Sequence, residues 1–381
     1  MPAWDNRRRE RLDQGAMRIT FITDIMTPYM APVFDAMASR CDLTVLFGSK
    51  TGSRAMAWSL ATPSFRHRVI GGPVIRRSVD AADIYPNPRV LLELRRARPD
   101  VVISAGFSFP SLYAAAYCCT SRARLLVQSD GTSRSEASIG LDQRLTRTVL
   151  ARAAHGAVGN SYLAAQRLAE LGFEPVFEAP HSTDIEPFLE VGRARVARAD
   201  DLIRVVTVGR LLARKGVDLL VRAVSSARTQ GVGVGLMIVG EGDEEPRLRA
   251  LIGELSLTDV EWHGFVEHGD LPAELARADV FAFPTLLDPF GIVLLEAAAT
   301  GLPLVVSPHA GAARDLVEDA ETGFVVDPRD TAAFARALIS LARDAGLRRR
   351  MGRAAHELAA GRTPENTADA YLRAATEVAL G

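Results

Sequence analysis

The sequence predicts an α/β fold with two parallel-sheet domains, on three observations. The first is a β–loop–α–β opening, formed by the β-rich run Arg18–Thr23, a helical stretch Ala31–Ser39 and a second strand Leu43–Phe47. That order is typical of a parallel sheet with helices on its faces. The second is a new strand at Ile203–Gly209, which follows a polar stretch rich in arginine and alanine. The third is the length of 381 residues, which is enough for two hydrophobic cores.

Further apolar runs bounded by turn residues continue both sheets. In the first half they are Val101–Ser104, Leu125–Gln128 and Gly156–Gly159, and in the second half Gly235–Val239, Val260–Val266, Asp279–Phe283, Leu304–Ser307 and Gly323–Val326. These runs predict a first domain over residues 17–185, a linker over 186–202 and a second domain over 203–362. A last helix is expected within residues 363–381.

The composition is that of an ordinary globular protein, with 48% hydrophobic residues, 24% charged residues and a net charge of −1. No apolar run reaches the length of a membrane-spanning helix, so an integral membrane protein is not expected. The three cysteines lack metal-binding spacing, which favours a reduced, cytoplasmic setting. Residues 1–16 are polar and rich in arginine, without the apolar segment of a secretory signal, and are expected to be a disordered extension.

Charge is divided unevenly between the two halves. Residues 1–186 carry 23 Lys and Arg against 18 Asp and Glu, whereas residues 187–381 carry 22 against 28. The basic groups of the first half include Arg76–Arg77, Arg95, Arg96, Arg98, Arg144, Arg147 and Arg152. Two interpretations stay open: a weak contact with an anionic acceptor or the inner face of a membrane, and ordinary solvated helix faces. No nucleic-acid partner is expected.

The most informative stretch is a strand, a turn and a helix over residues 279–299. Its turn contains Asp288, an apolar helix begins near Phe290, and Glu296 lies eight residues after Asp288. We expect the N–H groups of Phe290, Gly291 and Ile292 to lie free at the helix N-terminus. Free donors and the positive end of the helix dipole suit that place to an anion, above all a phosphate. Gly291 has no side chain to obstruct such a ligand.

A second motif follows the strand Ile203–Gly209. It reads Gly-Arg-Leu-Leu-Ala-Arg-Lys-Gly from Gly209 to Gly216, and a helix is expected from Val217. Arg210 and Lys215 would place two cations on a strand-end loop, which suits a diphosphate. Because no Asp-x-Asp motif is present, we expect no metal ion and no bound cofactor. The alternative is that both cations are ordinary solvated loop charges.

Three residues of the first domain are weaker candidates for the functional site. Asp130 follows the strand Leu125–Gln128, at the sheet edge where open α/β folds place ligands, but a plain turn residue would look the same. Thr27 and Tyr29 lie in the first strand–helix loop, where a Pro-containing helix entry is the equal alternative.

Both motifs resemble those of glycosyltransferase family 4, retaining enzymes of the GT-B fold. The span from Asp288 to Glu296 resembles the acid-x7-acid motif, which usually reads Glu-x-Phe-Gly-x-x-x-x-Glu, with Asp288 in place of the first Glu. Gly209–Gly216 resembles the family's Gly-Arg-Leu…Lys-Gly motif. The resemblance implies two Rossmann-like, doubly wound domains that face an interdomain cleft. It also implies that the terminal helix in residues 363–381 crosses back onto the first domain.

For function, the resemblance implies transfer of a hexose from a nucleotide-diphosphate sugar to an acceptor hydroxyl, with the α-anomeric configuration retained. Glu296 would bind the ribose hydroxyls, Asp288 a hydroxyl of the donor sugar, and Arg210 with Lys215 the diphosphate. The remaining donor-binding residues would be Gly209, Phe290, Gly291, Ile292, Val293 and, beside the base, Phe265.

The first domain would hold the acceptor, a glycan, a lipid carrier or a small natural product. Thr27 and Tyr29 are its acceptor-side candidates. Asp130 stands where many family members have a His beside the transferred sugar, and is a candidate catalytic residue. Two alternatives stay open: a sugar-nucleotide epimerase of the same fold, and a nucleotide-sugar-binding protein without turnover. The turn Gly240-Glu241-Gly242 only weakly suggests a dinucleotide site, since Glu245 replaces the third glycine.

Overall fold

The computed structural model describes residues 17–49, 63–73, 75, 85–195 and 202–381. The predicted extension over residues 1–16 and the pair Arg76–Arg77 lie outside the described residues. The chain forms two compact units. One comprises the residues up to Thr183 together with Pro364–Gly381, and the other comprises Asp184–Thr363.

The strands alternate with helices along both units. In chain order they are β1 (Arg18–Thr23), β2 (Asp42–Phe47), β3 (Arg66–Val69), β4 (Val101–Ala105), β5 (Arg124–Ser129), β6 (Gly156–Gly159), β7 (Val176–Glu178), β8 (Ile203–Val208), β9 (Val234–Val239), β10 (Val260–Gly264), β11 (Val280–Phe283), β12 (Leu304–Val306) and β13 (Gly323–Val325).

The helices lie between these strands and after the last one. They are α1 (Ala31–Ala38), α2 (Arg89–Ala97), α3 (Phe109–Thr120), α4 (Leu141–Ala153), α5 (Tyr162–Glu170), α6 (Glu186–Ala194), α7 (Val217–Thr229), α8 (Glu245–Glu254), α9 (Leu271–Ala276), α10 (Ile292–Ala299), α11 (Ala313–Leu316), α12 (Thr331–Arg343), α13 (Ala345–Ala360) and α14 (Pro364–Leu380). A short 3-10 helix spans Ala213–Lys215.

Each unit contains a parallel sheet whose strand order reverses near its middle. The order is β3-β2-β1-β4-β5-β6-β7 in the first unit and β10-β9-β8-β11-β12-β13 in the second. The reversal falls between β1 and β4 in one sheet and between β8 and β11 in the other. Open α/β sheets bind ligands outside the carboxyl ends of the strands at such a reversal. The predicted class of two doubly wound α/β sheets is confirmed.

Helices cover both faces of each sheet, which is why the central strands are mostly apolar. In the first unit, α1 and α14 pack on one face, where Phe21 of β1 lies 4.9 Å from Phe34 and 5.6 Å from Tyr371 between ring centroids. The opposite face buries Leu94 of α2 and Leu150 of α4. In the second unit, β11 and α10 contribute to one buried cluster, and α7 and α12 to another.

The segment predicted as a linker differs from that expectation. Its first half, Glu186–Ala194, is the helix α6, which belongs to the second unit. Phe188 and Leu189 are buried in that unit's core, and this burial accounts for the order of an otherwise polar stretch. Residues 196–201 of the same segment lie outside the described part. Among the described helices, none is long and apolar enough to cross a membrane.

Candidate functional site

The loop after β8 places the two predicted cations in the second unit. Gly209 follows the strand with φ +141°, a conformation that side chains rarely adopt, and its N–H donates to the Val239 carbonyl at 2.9 Å. The 3-10 helix then ends at Lys215, and Gly216 with φ +63° turns the chain into α7. The loop is therefore held between β9 and α7, at the carboxyl edge of the sheet.

Lys215 and Asp288 form an ion pair between the β8 loop and the turn after β11, with Lys215 Nζ donating to Asp288 Oδ2. Their side chains are only 16% and 12% exposed. The ammonium group also lies 5.3 Å from the centre of the Phe283 ring, which adds a cation–π contact. The structure thus brings together two residues that the sequence predicts in separate roles.

The backbone of Asp288 is fixed by the loop that follows β12. Its N–H donates to the His309 carbonyl at 3.3 Å, and its carbonyl accepts from the Gly311 N–H at 2.9 Å. Arg214 holds the same turn from the other side, since its Nη1 donates to the Leu287 carbonyl at 2.9 Å. Arg214 therefore positions the turn.

The N-terminus of α10 differs in one respect from its prediction. The Phe290 N–H is not free, because it donates to Asp288 Oδ1 at 3.1 Å in a local side-chain turn. The helix begins two residues later than expected, with Gly291 as its N-cap at φ +88°. The N–H groups of Gly291, Ile292 and Val293 donate to no acceptor among the described residues. These three donors remain suited to an anion.

Glu296 lies on α10 with 3% of its surface exposed, and it has a partner that the sequence did not indicate. Its Oε1 lies 2.9 Å from Nε2 of His268, in the connection between β10 and α9. This hydrogen bond is the main cause that raises the pKa of His268, against the opposing effect of burial. The ring of Phe188 packs at 5.5 Å from the imidazole. The two residues are separated by 28 positions, which is no recognisable motif spacing, so only the fold reveals this pair.

Phe265 follows β10 and is 41% exposed. Its N–H donates to Oε1 of Glu241 at 3.2 Å, and the Gly240 N–H donates to the Gly264 carbonyl at 2.7 Å. The Leu211 N–H donates to the Glu241 carbonyl at 2.9 Å, so the turn after β9 links Phe265 to the Gly209 loop. Arg210 is half-buried, and with the described residues it makes no ion pair.

The three candidates of the first unit lie near the carboxyl ends of β1 and β5. Asp130 is exposed and directly follows β5. The hydroxyl of Thr27 is buried and has no hydrogen-bond partner in the described part of the chain. The Tyr29 ring packs edge-on against His181 at 5.4 Å, and burial lowers the pKa of His181 to about 4. Their predicted roles toward an acceptor stay predictions.

The described part of the chain contains no preformed metal site. Over those residues, no group of three or more His, Cys, Asp or Glu side chains could hold a metal ion. Independence from metal stays a prediction for activity measurements.

Solved structures show the class of fold that these two sheets define. The structure of Anabaena Alr3699/HepE in complex with UDP matches with a TM-score of 0.76 and 20% identity, over 95% of this chain and all of that chain. Sucrose-phosphate synthase from Thermosynechococcus elongatus matches with a TM-score of 0.71 and 18% identity, over 95% of this chain and 98% of that one. The GT-B fold is confirmed by this likeness.

Sequence comparison then gives the family. Residues 191–358 match the family model described as glycosyl transferases group 1. The chain is 30% identical over 340 residues to the GDP-mannose-dependent alpha-(1-6)-phosphatidylinositol monomannoside mannosyltransferase of Mycobacterium tuberculosis, covering 81% of this chain and 86% of the relative. It is 33% identical over 212 residues to the lipopolysaccharide core biosynthesis glycosyltransferase LpsE of Rhizobium meliloti, covering 55% and 60%. The chain belongs to the group 1 glycosyl transferases.

Proposed function

We propose that this glycosyltransferase moves a hexose from a nucleotide-diphosphate sugar to an acceptor hydroxyl and retains the α-anomeric configuration. The observation that supports this most is the meeting of the Lys215 loop, Asp288 and the N-terminus of α10 at one sheet edge. A diphosphate needs several positive or donor groups on one side. Lys215, Arg210 and the free N–H groups of α10 are groups of that kind.

The Lys215–Asp288 pair suggests how donor binding begins. The diphosphate of a nucleotide sugar carries two negative charges and Asp288 only one, so the diphosphate competes for the Lys215 ammonium group. Once Lys215 turns to the phosphate, Asp288 Oδ2 is free to accept a hydrogen bond from a hydroxyl of the donor sugar. One exchange of partners would then prepare both the leaving group and the sugar.

Glu296 would bind the ribose hydroxyls, with His268 as a positioning residue. A buried carboxylate needs hydrogen-bond partners, and His268 supplies one to Oε1. Oε2 of Glu296 has no hydrogen bond to the described residues and would accept from the ribose. Phe265 would lie beside the base, because it is exposed on a loop linked to the Gly209 turn.

The transfer itself needs no nucleophile from the enzyme. The bond between the anomeric carbon and the phosphate oxygen breaks, and the acceptor oxygen bonds to that carbon from the same face. The proton of the acceptor hydroxyl passes to the departing phosphate oxygen. Lys215 and Arg210 stabilise the charge that develops there, in a site already arranged for it. Asp130, Thr27 and Tyr29 are proposed on the acceptor side, with Asp130 orienting the acceptor hydroxyl.

Incubation with donors and acceptors tests this proposal. The mycobacterial relative is named for GDP-mannose, and the HepE structure holds UDP, so GDP- and UDP-hexoses come first. We expect nucleotide release only when an acceptor hydroxyl is present, and an α-linked product by NMR. Sugar interconversion without an acceptor would indicate the epimerase instead, and tight nucleotide-sugar binding without any release would indicate the non-catalytic binder.

The same assay tests whether a divalent metal is needed. We propose that Lys215, Arg210 and the α10 donors supply the positive charge, so activity should persist in excess chelator. Complete loss of activity that magnesium or manganese restores would contradict this part of the proposal.

A further inference from the structure

Helix α4 of the first unit carries an apolar stripe on its outer side. Leu141, Leu145 and Val149 follow one another at intervals of four residues, and they are 82%, 65% and 44% exposed. Residues four apart lie on one face of a helix. The inner face of α4 packs on the core through other residues, since Leu150 is fully buried. Single exposed leucines are common, but a continuous row of them marks an interaction surface.

The same helix has more basic than acidic residues, with Asp142 as its one acid. Arg144 and Arg152 are exposed, and neither forms an ion pair with any described residue. Over residues 89–153, which run from α2 to α4, the chain has ten arginines against five carboxylates. The segment from α2 to α4 therefore carries a net charge of +5. A partner for this surface must be apolar and anionic together.

We propose that α4 docks the protein on the surface of an anionic phospholipid bilayer. A helix that lies in the plane of a membrane buries an apolar side at the acyl boundary and directs its arginines to the headgroups. The stripe of α4 provides the apolar side, and Arg144 and Arg152 provide charges that attract anionic headgroups. A second copy of this chain would bring the same arginines face to face, which disfavours self-association through this helix.

A buried ion pair joins α4 to the loop that contains Asp130. Glu136 of this loop accepts at 3.0 Å from Nε of Arg147 on α4 and at 3.0 Å from Nε of Arg167 on α5. The Arg147 guanidinium also stacks at 4.3 Å over the Phe107 ring, beside the carboxyl end of β4. Docking of α4 therefore holds the carboxyl edge of the first sheet at a fixed place relative to the bilayer. Such an arrangement fits a lipid-linked acceptor.

Vesicle flotation of the full chain tests the docking without donor or acceptor, so its result is independent of the proposed transfer reaction. We expect binding to vesicles of phosphatidylglycerol and phosphatidylcholine, and much weaker binding to phosphatidylcholine alone. Leu141→Gln with Leu145→Gln should weaken binding about tenfold or more, because two exposed apolar side chains no longer enter the bilayer. Arg144→Gln with Arg152→Gln should weaken it and reduce its sensitivity to salt.

Matched controls lie on α14 of the same unit, where Leu380 is 45% exposed and Arg373 is exposed. Leu380→Gln and Arg373→Gln should leave vesicle binding unchanged. Because all the replaced side chains are exposed, thermal unfolding should change little in every variant. Absence of wild-type binding to the anionic vesicles would overturn the proposal, and so would equal loss in the α4 and α14 variants. Conversion of a dimer to a monomer by the leucine pair, with vesicle binding unchanged, would assign the stripe to self-association instead.

Discussion

Lys215 and Asp288 are bonded to each other across 73 residues of chain, from the loop after β8 to the turn after β11. Each would be costly to bury alone, and together they fix the distance between the two loops that would face a donor. Because Asp288 Oδ1 also accepts from the Phe290 N–H, the same carboxylate links the cation to the start of α10. The residue predicted to bind the diphosphate and the residue predicted to bind the donor sugar are therefore connected.

Replacement of Lys215 by alanine tests the diphosphate assignment. We expect a loss of about 2–5 kcal/mol of transition-state binding, measured as kcat/KM, since a mostly buried cation is removed from a phosphate. The control is Arg343→Ala at the exposed end of α12 in the same unit, which should leave kcat/KM unchanged. Unchanged turnover and donor affinity in Lys215→Ala would refute the assignment.

The variants Asp288→Asn and Glu296→Gln distinguish binding of the donor sugar from binding of the nucleotide. The Asn variant keeps the shape of the side chain but removes the charge that holds Lys215, so the ammonium group becomes freer to bind phosphate. We expect the affinity for the bare nucleoside diphosphate to stay constant or rise, while kcat falls. Glu296→Gln should instead lower the affinity for the bare nucleotide, because the ribose contact is lost. Calorimetric titration of both variants with UDP and GDP measures this difference.

If Asp288→Asn lowers the affinity for the bare nucleotide as strongly as Glu296→Gln does, the assignment of Asp288 to the sugar and Glu296 to the ribose is wrong. Asp288→Glu is the companion variant. It restores the residue usual in the motif and keeps the charge, so activity should persist or the preferred donor sugar should change.

Gly291 tests the geometry at the start of α10. Its φ of +88° strains any side chain, and an added Cβ would lie 2.7 Å from the Phe283 ring. Gly291→Ala should destabilise the protein by about 1–2 kcal/mol or more in urea unfolding, and weaken donor binding as well.

Gly253 in α8 is the matched control for this variant, since an added Cβ there meets no atom within 4 Å. Gly253→Ala should be neutral or stabilise by about 0.5–1 kcal/mol, because alanine favours the helix. Equal effects at both glycines would show that the conformation of Gly291 is not required.

Much of the fold could be predicted from the sequence, because buried parallel strands such as Phe281–Phe283 are continuous apolar runs between turns. The two edge strands of the first sheet, β3 and β7, could not. All four residues of β3, Arg66–Val69, are exposed, and β7 has only three residues, so neither shows an apolar period. The helix α6 resembles a linker in sequence because it is mostly polar. Of its residues, only Phe188 and Leu189 are buried in the core.

The local elements of the candidate site could also be predicted, because the Lys215 loop and the Asp288–Glu296 motif are each continuous in sequence. What the sequence could not provide is pairing across long distances. His268 reaches Glu296 only because β10 and β11 lie in one sheet with α9 and α10 beside it. The expectation of a free Phe290 N–H is wrong because the side chain two residues earlier folds back as its acceptor.

His268 gives a dependence of stability on pH. The bond to Glu296 raises the pKa of His268 above its ordinary value of 6.5, so the folded state binds the proton more tightly than the unfolded state. The pair therefore contributes stability that is fully present below about pH 6.5 and is lost as the pH rises through the folded pKa. The difference in unfolding free energy between the wild type and His268→Gln should be larger at low pH than at high pH. Urea unfolding of both proteins across this range measures it.

His155 is the control of opposite sign. Burial lowers the pKa of His155, with Arg124 adding to the effect, and its Nδ1 accepts from the Leu125 N–H at 3.2 Å. The stability that its neutral ring contributes is present above about pH 6.5 and is lost as the pH falls through the folded pKa. The difference between the wild type and His155→Gln should therefore grow toward high pH. If His268→Gln shows that same direction, the ring of His268 is neutral beside Glu296, and the prediction that the bond to Glu296 raises its pKa is wrong.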